Sequence, residues 1–118
     1  ALSWSLDVLT ARGKQMKEPV KHDQDKPRID LIPPQAIIDI AEVLTYGAGK
    51  YDSHNWRDNG GLDYSRLYAA AQRHLLSFWD GQSLDKETGM SHLAHAACCI
   101  VFLMSYEAED NGKDDRYL

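Results

Sequence analysis

The chain reads as all-α: a small helical bundle with an extended N-terminal strap, completed by dimerisation or higher assembly. Three observations predict this. Two stretches repeat apolar residues at i, i+3, i+4 and i+7, a third is apolar almost all round, and dense turn signals separate them. The length, 118 residues, fits one domain with a core that needs no disulfide or structural metal. A hydrophobic content of 43% is too high for a compositionally disordered chain.

Residues 1–22 read as a leader or docking arm. Leu2, Trp4, Leu6, Val8 and Leu9 could pack on a partner, whereas Ala11 to His22 is polar and basic. Residues 1–11 lack the basic start and apolar run of a signal peptide, so none is expected. From Asp23 to Pro34, Pro27, Pro33 and Pro34 forbid a regular helix. That segment is expected to be an extended strap lying on the domain.

The first helix is expected from Pro34 to Gly47. Proline suits a first helical turn, Ile37, Ile40, Ala41, Leu44 and Ala48 form the buried stripe, and Gly47 and Gly49 end it. Tyr51 to Asp63 reads as loop. The second helix runs from Tyr64 to Trp79 with a stripe of Leu67, Ala71, Leu75 and Phe78, widened by Tyr68 and Leu76; Asp80-Gly81 stops it. The third helix starts at Met90 or Ser91 and reaches about Ala108. It is apolar on nearly every face, as in a helix surrounded by others. Three helices make a thin core, so a second copy is expected to complete the bundle. The domain thus spans 23–109, and 110–118 is a charged tail expected to fray.

Composition excludes several classes. A net charge of −5 argues against coating DNA or RNA, though not against a nucleotide, which needs only a few local cations. The longest apolar run, Ala96 to Met104, is too short to cross a bilayer. Cys98 and Cys99 are adjacent and read as small core residues of a reducing, cytoplasmic compartment; Cys99, one turn beyond His95, could alternatively reach a metal. No GxSxG, Walker loop, CxxC or HExxH motif is present.

Four clusters could carry chemistry. His74 on the second helix joins His92 and His95, which share a face of the third at i, i+3; together they could hold a transition metal or simply be hydrogen-bonded core histidines. Asp85 and Glu87, in the loop entering the third helix, could complete a metal shell or activate water, or merely favour the helix dipole. Lys50, Tyr51, Asn55, Trp56 and Arg57, with Tyr46 and His54, combine flat rings with amide and cationic donors, as a nucleobase and its phosphates require; the rival reading makes Trp56 a plug over the core. Arg73 beside His74 could clamp a phosphate, and Lys26, Arg28 and Arg66 are further cations.

These residues carry a resemblance. The blocks KHDQDKPRIDLIPP, AEVLTYGAGKYDSHNWR and RLYAAAQRHLLSFWDGQSLDKETGMSHLAHAACCIVFL resemble the phage dATP/dGTP diphosphohydrolase N-terminal domain family, related to MazG-like all-α nucleotide pyrophosphohydrolases, across Asp23 to Leu103. The resemblance implies an all-α homo-oligomer that cleaves purine deoxynucleoside triphosphates to monophosphate and pyrophosphate with a divalent metal, Mg²⁺ or Mn²⁺, in the host cytoplasm. MazG-like enzymes hold Mg²⁺ through ExxE and ExxD motifs on successive helices. Here Ala71 and His74 stand at the first motif, and His92 and His95 at the second. Imidazoles favour Mn²⁺, Co²⁺, Ni²⁺ or Zn²⁺ over Mg²⁺. Either another metal is used, with His74, His92, His95 and Asp85 as ligands and Asp85 or Glu87 completing its shell or acting as catalytic general base, or the protein binds nucleotides without hydrolysis, as a sequestering protein would. A purely structural module is the third reading.

Overall fold

The structure, a computed structural model, describes residues 18–118. Residues 1–17 of the expected leader or docking arm, Trp4 included, lie outside the described residues. The chain divides into two units, residues 1–31 and 32–118. In the first, the described part holds a turn closed by Lys26 N–H to the Asp23 carbonyl and a 3₁₀ turn, Ile29–Leu31. Across that turn Arg28 clasps Asp30 at 2.8 Å, so the segment expected to be extended coils locally.

The second unit is three helices: α1 (Pro34–Lys50), α2 (Tyr64–Trp79) and α3 (His92–Glu109), with no named strand among the described residues. Pro34 opens α1, as its fixed φ suits a first turn. The expected stop at Gly47 does not occur. The helix continues three residues, and the Tyr51 N–H still reaches the Gly47 carbonyl at 2.8 Å. Glycine weakens a helix by about 1 kcal/mol but does not forbid it; the break comes at Asp52, whose φ of 140° is not helical. The buried strip of α1 is also rotated from the expected one. Val43 is its buried residue, with Ile40 and Leu44 packed beside it, while Ile37 and Ala41 are exposed. With a single helix to pack on, α1 keeps only a narrow covered face.

The bounds of α2 are as expected, and Leu67 and Ala71 are buried. Tyr68 and Leu76, expected to widen its stripe, face out instead. The Ser91 hydroxyl caps α3 by accepting the Ala94 N–H at 3.2 Å, which satisfies one orphan donor of the first turn. The helix ends where Asp110 turns left-handed.

Helix α3 is the centre of the unit, packed against both α1 and α2. Ala94 and Cys98 meet Val43, Ile40, Leu44 and Met90 on the α1 side. Within one chain, however, α3 is not surrounded: Leu93, Ile100, Val101 and Met104 retain exposed surface. No helix among the described residues is long and apolar enough to cross a membrane.

The tail does not fray at its start. Lys113 exchanges backbone hydrogen bonds with Leu62 and Tyr64, Gly112 N–H reaches the Gly60 carbonyl, and Asn111 donates to the Arg57 carbonyl. The Asp115 carboxylate accepts from the Ser65 N–H at 2.9 Å, capping the start of α2 from a distant part of the chain. Residues expected to fray therefore satisfy backbone groups that the 51–63 loop and α2 leave open. Tyr106 lies beneath this crossing at 0% exposure; its hydroxyl donates to the Trp56 carbonyl and accepts from the Leu62 N–H.

Candidate functional site

The end of α2, the loop after it and the first turn of α3 converge. The loop is closed tightly. Asp85 N–H donates to the Met90 carbonyl at 2.7 Å, Gly89 N–H to the Asp85 carbonyl at 2.8 Å, and His92 N–H to the Ser83 carbonyl at 2.9 Å. This closure turns Asp85 toward the histidines. Thr88 holds its carboxylate, donating from both N–H and hydroxyl at 3.0 Å to Oδ2.

His74 and His92 face each other with Nδ1 atoms 2.9 Å apart, and His95 stacks on His74 with ring centres 4.6 Å apart. His74, His92 and Asp85 can offer ligand atoms that all lie within 4.8 Å of one another. His95 falls outside that group; its Nε2 contacts the Thr88 hydroxyl at 2.8 Å and stands 4.0 Å from Asp85. Of the four expected ligands, three gather and the fourth stacks beside them. The donor set fits a first-row divalent ion. At 2.9 Å the two Nδ1 atoms share a hydrogen bond, so one of them carries a proton that an ion bound at both would displace. His92 is 5% exposed and its Nε2 finds no partner, a cost that is unusual in a purely structural histidine.

The electrostatics favour the same state. Desolvation lowers the His74 pKa, with the other two histidines adding to it, and desolvation lowers that of His95 against the pull of Asp85. Both shifts favour the neutral ring, which has a lone pair to offer. Desolvation would raise Asp85, but the Thr88 hydrogen bonds and the nearby histidines outweigh it and keep the carboxyl below its ordinary value.

His74, Asp85 and His95 form part of the wall of a cavity of about 600 Å³. From α1 and the 51–63 loop come Lys50, Tyr51, Asn55, Trp56 and Arg57, and from the other loop Glu87. Nearly every expected site residue therefore meets in one space. Arg73 and His92 do not line it: Arg73 is exposed on α2, and His92 lies behind His74. Lys50 pairs with Glu87 at 3.4 Å, joining the end of α1 to the loop before α3. Trp56 is engaged within the protein, stacked on Phe102 at 4.3 Å with the Arg57 guanidinium 4.5 Å from its ring centre. Tyr51 is the freer ring, 58% exposed.

Among the lining residues missed from sequence are Phe102 and Thr88. Phe102 looked like any other position of an apolar helix. Thr88 had a signal: a threonine three residues after an aspartate in a loop is a common partner for local side-chain hydrogen bonds.

Over residues 16–116 the chain matches the family described as dATP/dGTP diphosphohydrolase, N-terminal. It belongs to that family. It is also 37% identical, over 97 residues, to the dATP/dGTP diphosphohydrolase of Salmonella phage PMBT28. The match covers 82% of this chain but 32% of the relative, so the chain spans about a third of the length of that phage protein. No solved structure matches. Membership rests on the whole sequence from the proline-rich segment to the tail; the cavity is built from the 32–118 part of it.

Proposed function

We propose that the domain binds a purine deoxynucleoside triphosphate in the 600 Å³ cavity and cleaves it between the α and β phosphates, with a divalent metal held by His74, His92 and Asp85. The observation that carries this reading is the shared space. His74, His95 and Asp85 form one wall, and cations with an exposed aromatic ring form the other. The metal, when bound, supplies charge neutralisation and an acidic water. Lys50 and Arg57 hold phosphates, Tyr51 stacks on the base, Asn55 reads its edge, and Trp56 fixes Arg57 in place. Glu87, released from Lys50 when phosphates arrive, takes the proton of the attacking water; Asp85 keeps its charge on the metal side. His95 lines the cavity beside the cluster, and Arg73 adds positive potential from outside. Kinship with MazG-like all-α pyrophosphohydrolases, a cytoplasmic location and homo-oligomerisation belong to the same reading.

A second reading is favoured by the length of the phage relative, two thirds of which lies beyond the match. There the domain binds the nucleotide, and the chemistry resides elsewhere or is absent, as in a sequestering protein.

Pyrophosphate release from a panel of deoxynucleoside triphosphates, with Mg²⁺, Mn²⁺ or Co²⁺, separates them. The first reading expects metal-dependent release that is abolished in His92→Ala. Tight nucleotide binding without release under any metal selects the second. Neither binding nor release sinks both. A ligating ion at about 100 times its Kd should stabilise the fold by about 2.7 kcal/mol, and that gain should vanish in His92→Ala or with EDTA.

A further inference from the structure

Thr88 has no part in the metal cluster or in the nucleotide contacts proposed above, yet its hydroxyl is saturated. It lies 3.0 Å from Asp85 Oδ2, 2.8 Å from His95 Nε2 and 3.2 Å from the Met90 backbone nitrogen. A hydroxyl has one proton and two lone pairs. The Met90 N–H can only donate, so it takes one lone pair. A carboxylate oxygen can only accept, so the hydroxyl proton goes to Asp85. One lone pair is left, and His95 Nε2 must donate to it. His95 Nε2 therefore carries a proton, and in the neutral ring, which is part of the cavity wall, Nδ1 keeps a lone pair.

We propose that Thr88 is a positioning residue that fixes the tautomer of His95 and the orientation of Asp85 in a single contact. The consequence is specific. At Nδ1, neutral His95 is an acceptor. It can receive a hydrogen bond from a water or offer a lone pair to a cation, and it does not donate to a phosphate oxygen. Asp85, with Oδ2 taken by Thr88, has no hydrogen bond at Oδ1 among the described residues, which leaves that oxygen for the ion. A neutral imidazole without such a partner exchanges between its two tautomers; here the loop that closes on Asp85 chooses one. The proton on Nε2 follows from the hydrogen-bond count and the bare Nδ1 from that count in a neutral ring, whereas the effect on turnover rests on the function proposed above.

The test is a long-range ¹H–¹⁵N correlation spectrum of the full chain carrying ¹⁵N-histidine, with EDTA present and at a pH where imidazole is neutral. The protonated and bare nitrogens of a neutral ring resonate far apart. Wild type and Thr88→Ser should show His95 as Nε2–H. Thr88→Val, which keeps the shape and removes the hydroxyl, should show a mixed or reversed pattern. A wild-type Nδ1–H signal, or a Thr88→Val spectrum like wild type, overturns the proposal; the wild-type and Thr88→Ser spectra serve if the valine variant does not fold. In the pyrophosphate assay Thr88→Val should lower kcat by roughly 10–100-fold, the usual cost of losing an outer-shell partner, with KM for the nucleotide little changed and Thr88→Ser restoring kcat. If wild type itself releases no pyrophosphate, the hydrolytic reading fails and the spectrum still decides the tautomer.

Discussion

His74 and His95 set the pH response at the scale of single residues. Each is held below its ordinary pKa of 6.5, chiefly by desolvation. In the unfolded chain both rings take up protons near 6.5, while the folded protein resists doing so. Their contribution to stability is therefore complete above about pH 6.5 and is lost as pH falls through the lower folded values. Urea midpoints measured from pH 8 to 5 should decline across that window, and the decline should flatten in His95→Gln. Asp85, also lowered, acts further down: its contribution persists until pH drops below its ordinary 3.8. Tyr106 shows a different kind of residue effect. Removing its hydroxyl in Tyr106→Phe leaves the Trp56 carbonyl and the Leu62 N–H without that partner. The expected loss is about 1–3 kcal/mol by denaturant unfolding, far more than a surface Tyr→Phe change would give. Gly112 is bound to the same ring. Its φ is +74°, and a Cβ there would lie 2.5 Å from Tyr106 Cδ2, so the tail can cross the tyrosine only as glycine.

The helices themselves were legible in the sequence to different depths. Residues Tyr64 and Trp79 bound α2 as expected, because a loop rich in turn formers and Asp80-Gly81 flank a clear stripe. Helix α3 opens within two residues of its expected start, since Ser91 is a good cap. Ser91→Ala should cost about 1 kcal/mol, and the loss should appear mainly as easier opening of the first turn, seen as faster amide exchange at Ala94 and His95. The C-terminal end of α1 was misplaced because Gly47 and Gly49 are permissive rather than prohibitive. Its covered face was misread for a related reason: periodicity identifies an apolar stripe but not which edge of it meets a neighbour, and Val43 rather than Ala41 meets α3.

At the scale of the whole molecule, the unpaired apolar surface is the main feature. Leu76 is 65% exposed and Trp79 86%, on the helix that packs against α3, and Ile100 and Met104 are open on α3 itself. Large apolar side chains this exposed are candidates for a surface that another molecule covers. With self-association as part of the proposed function, light scattering after gel filtration should give a multiple of the 13.3 kDa chain mass, and Leu76→Asp with Trp79→Asp should shift it to the single mass. A monomer at all concentrations for the unaltered chain would remove that part of the reading.

The sequence by itself determined the fold class, the three helices and the residue types of the site. Those properties follow from local periodicity, turn chemistry and the few side chains able to bind metal or phosphate. What only the tertiary structure decided is who meets whom. His92 and His95 share a helical face, yet His92 meets His74 and gathers with it and Asp85, while His95 stacks beside them and contacts Thr88. Lys50 and Glu87, 37 positions apart, pair across the cavity, and Asp115 caps a helix that begins 51 residues earlier. Such partners depend on how the helices pack and the loops close, and the spacing of residues along one chain carries no record of that.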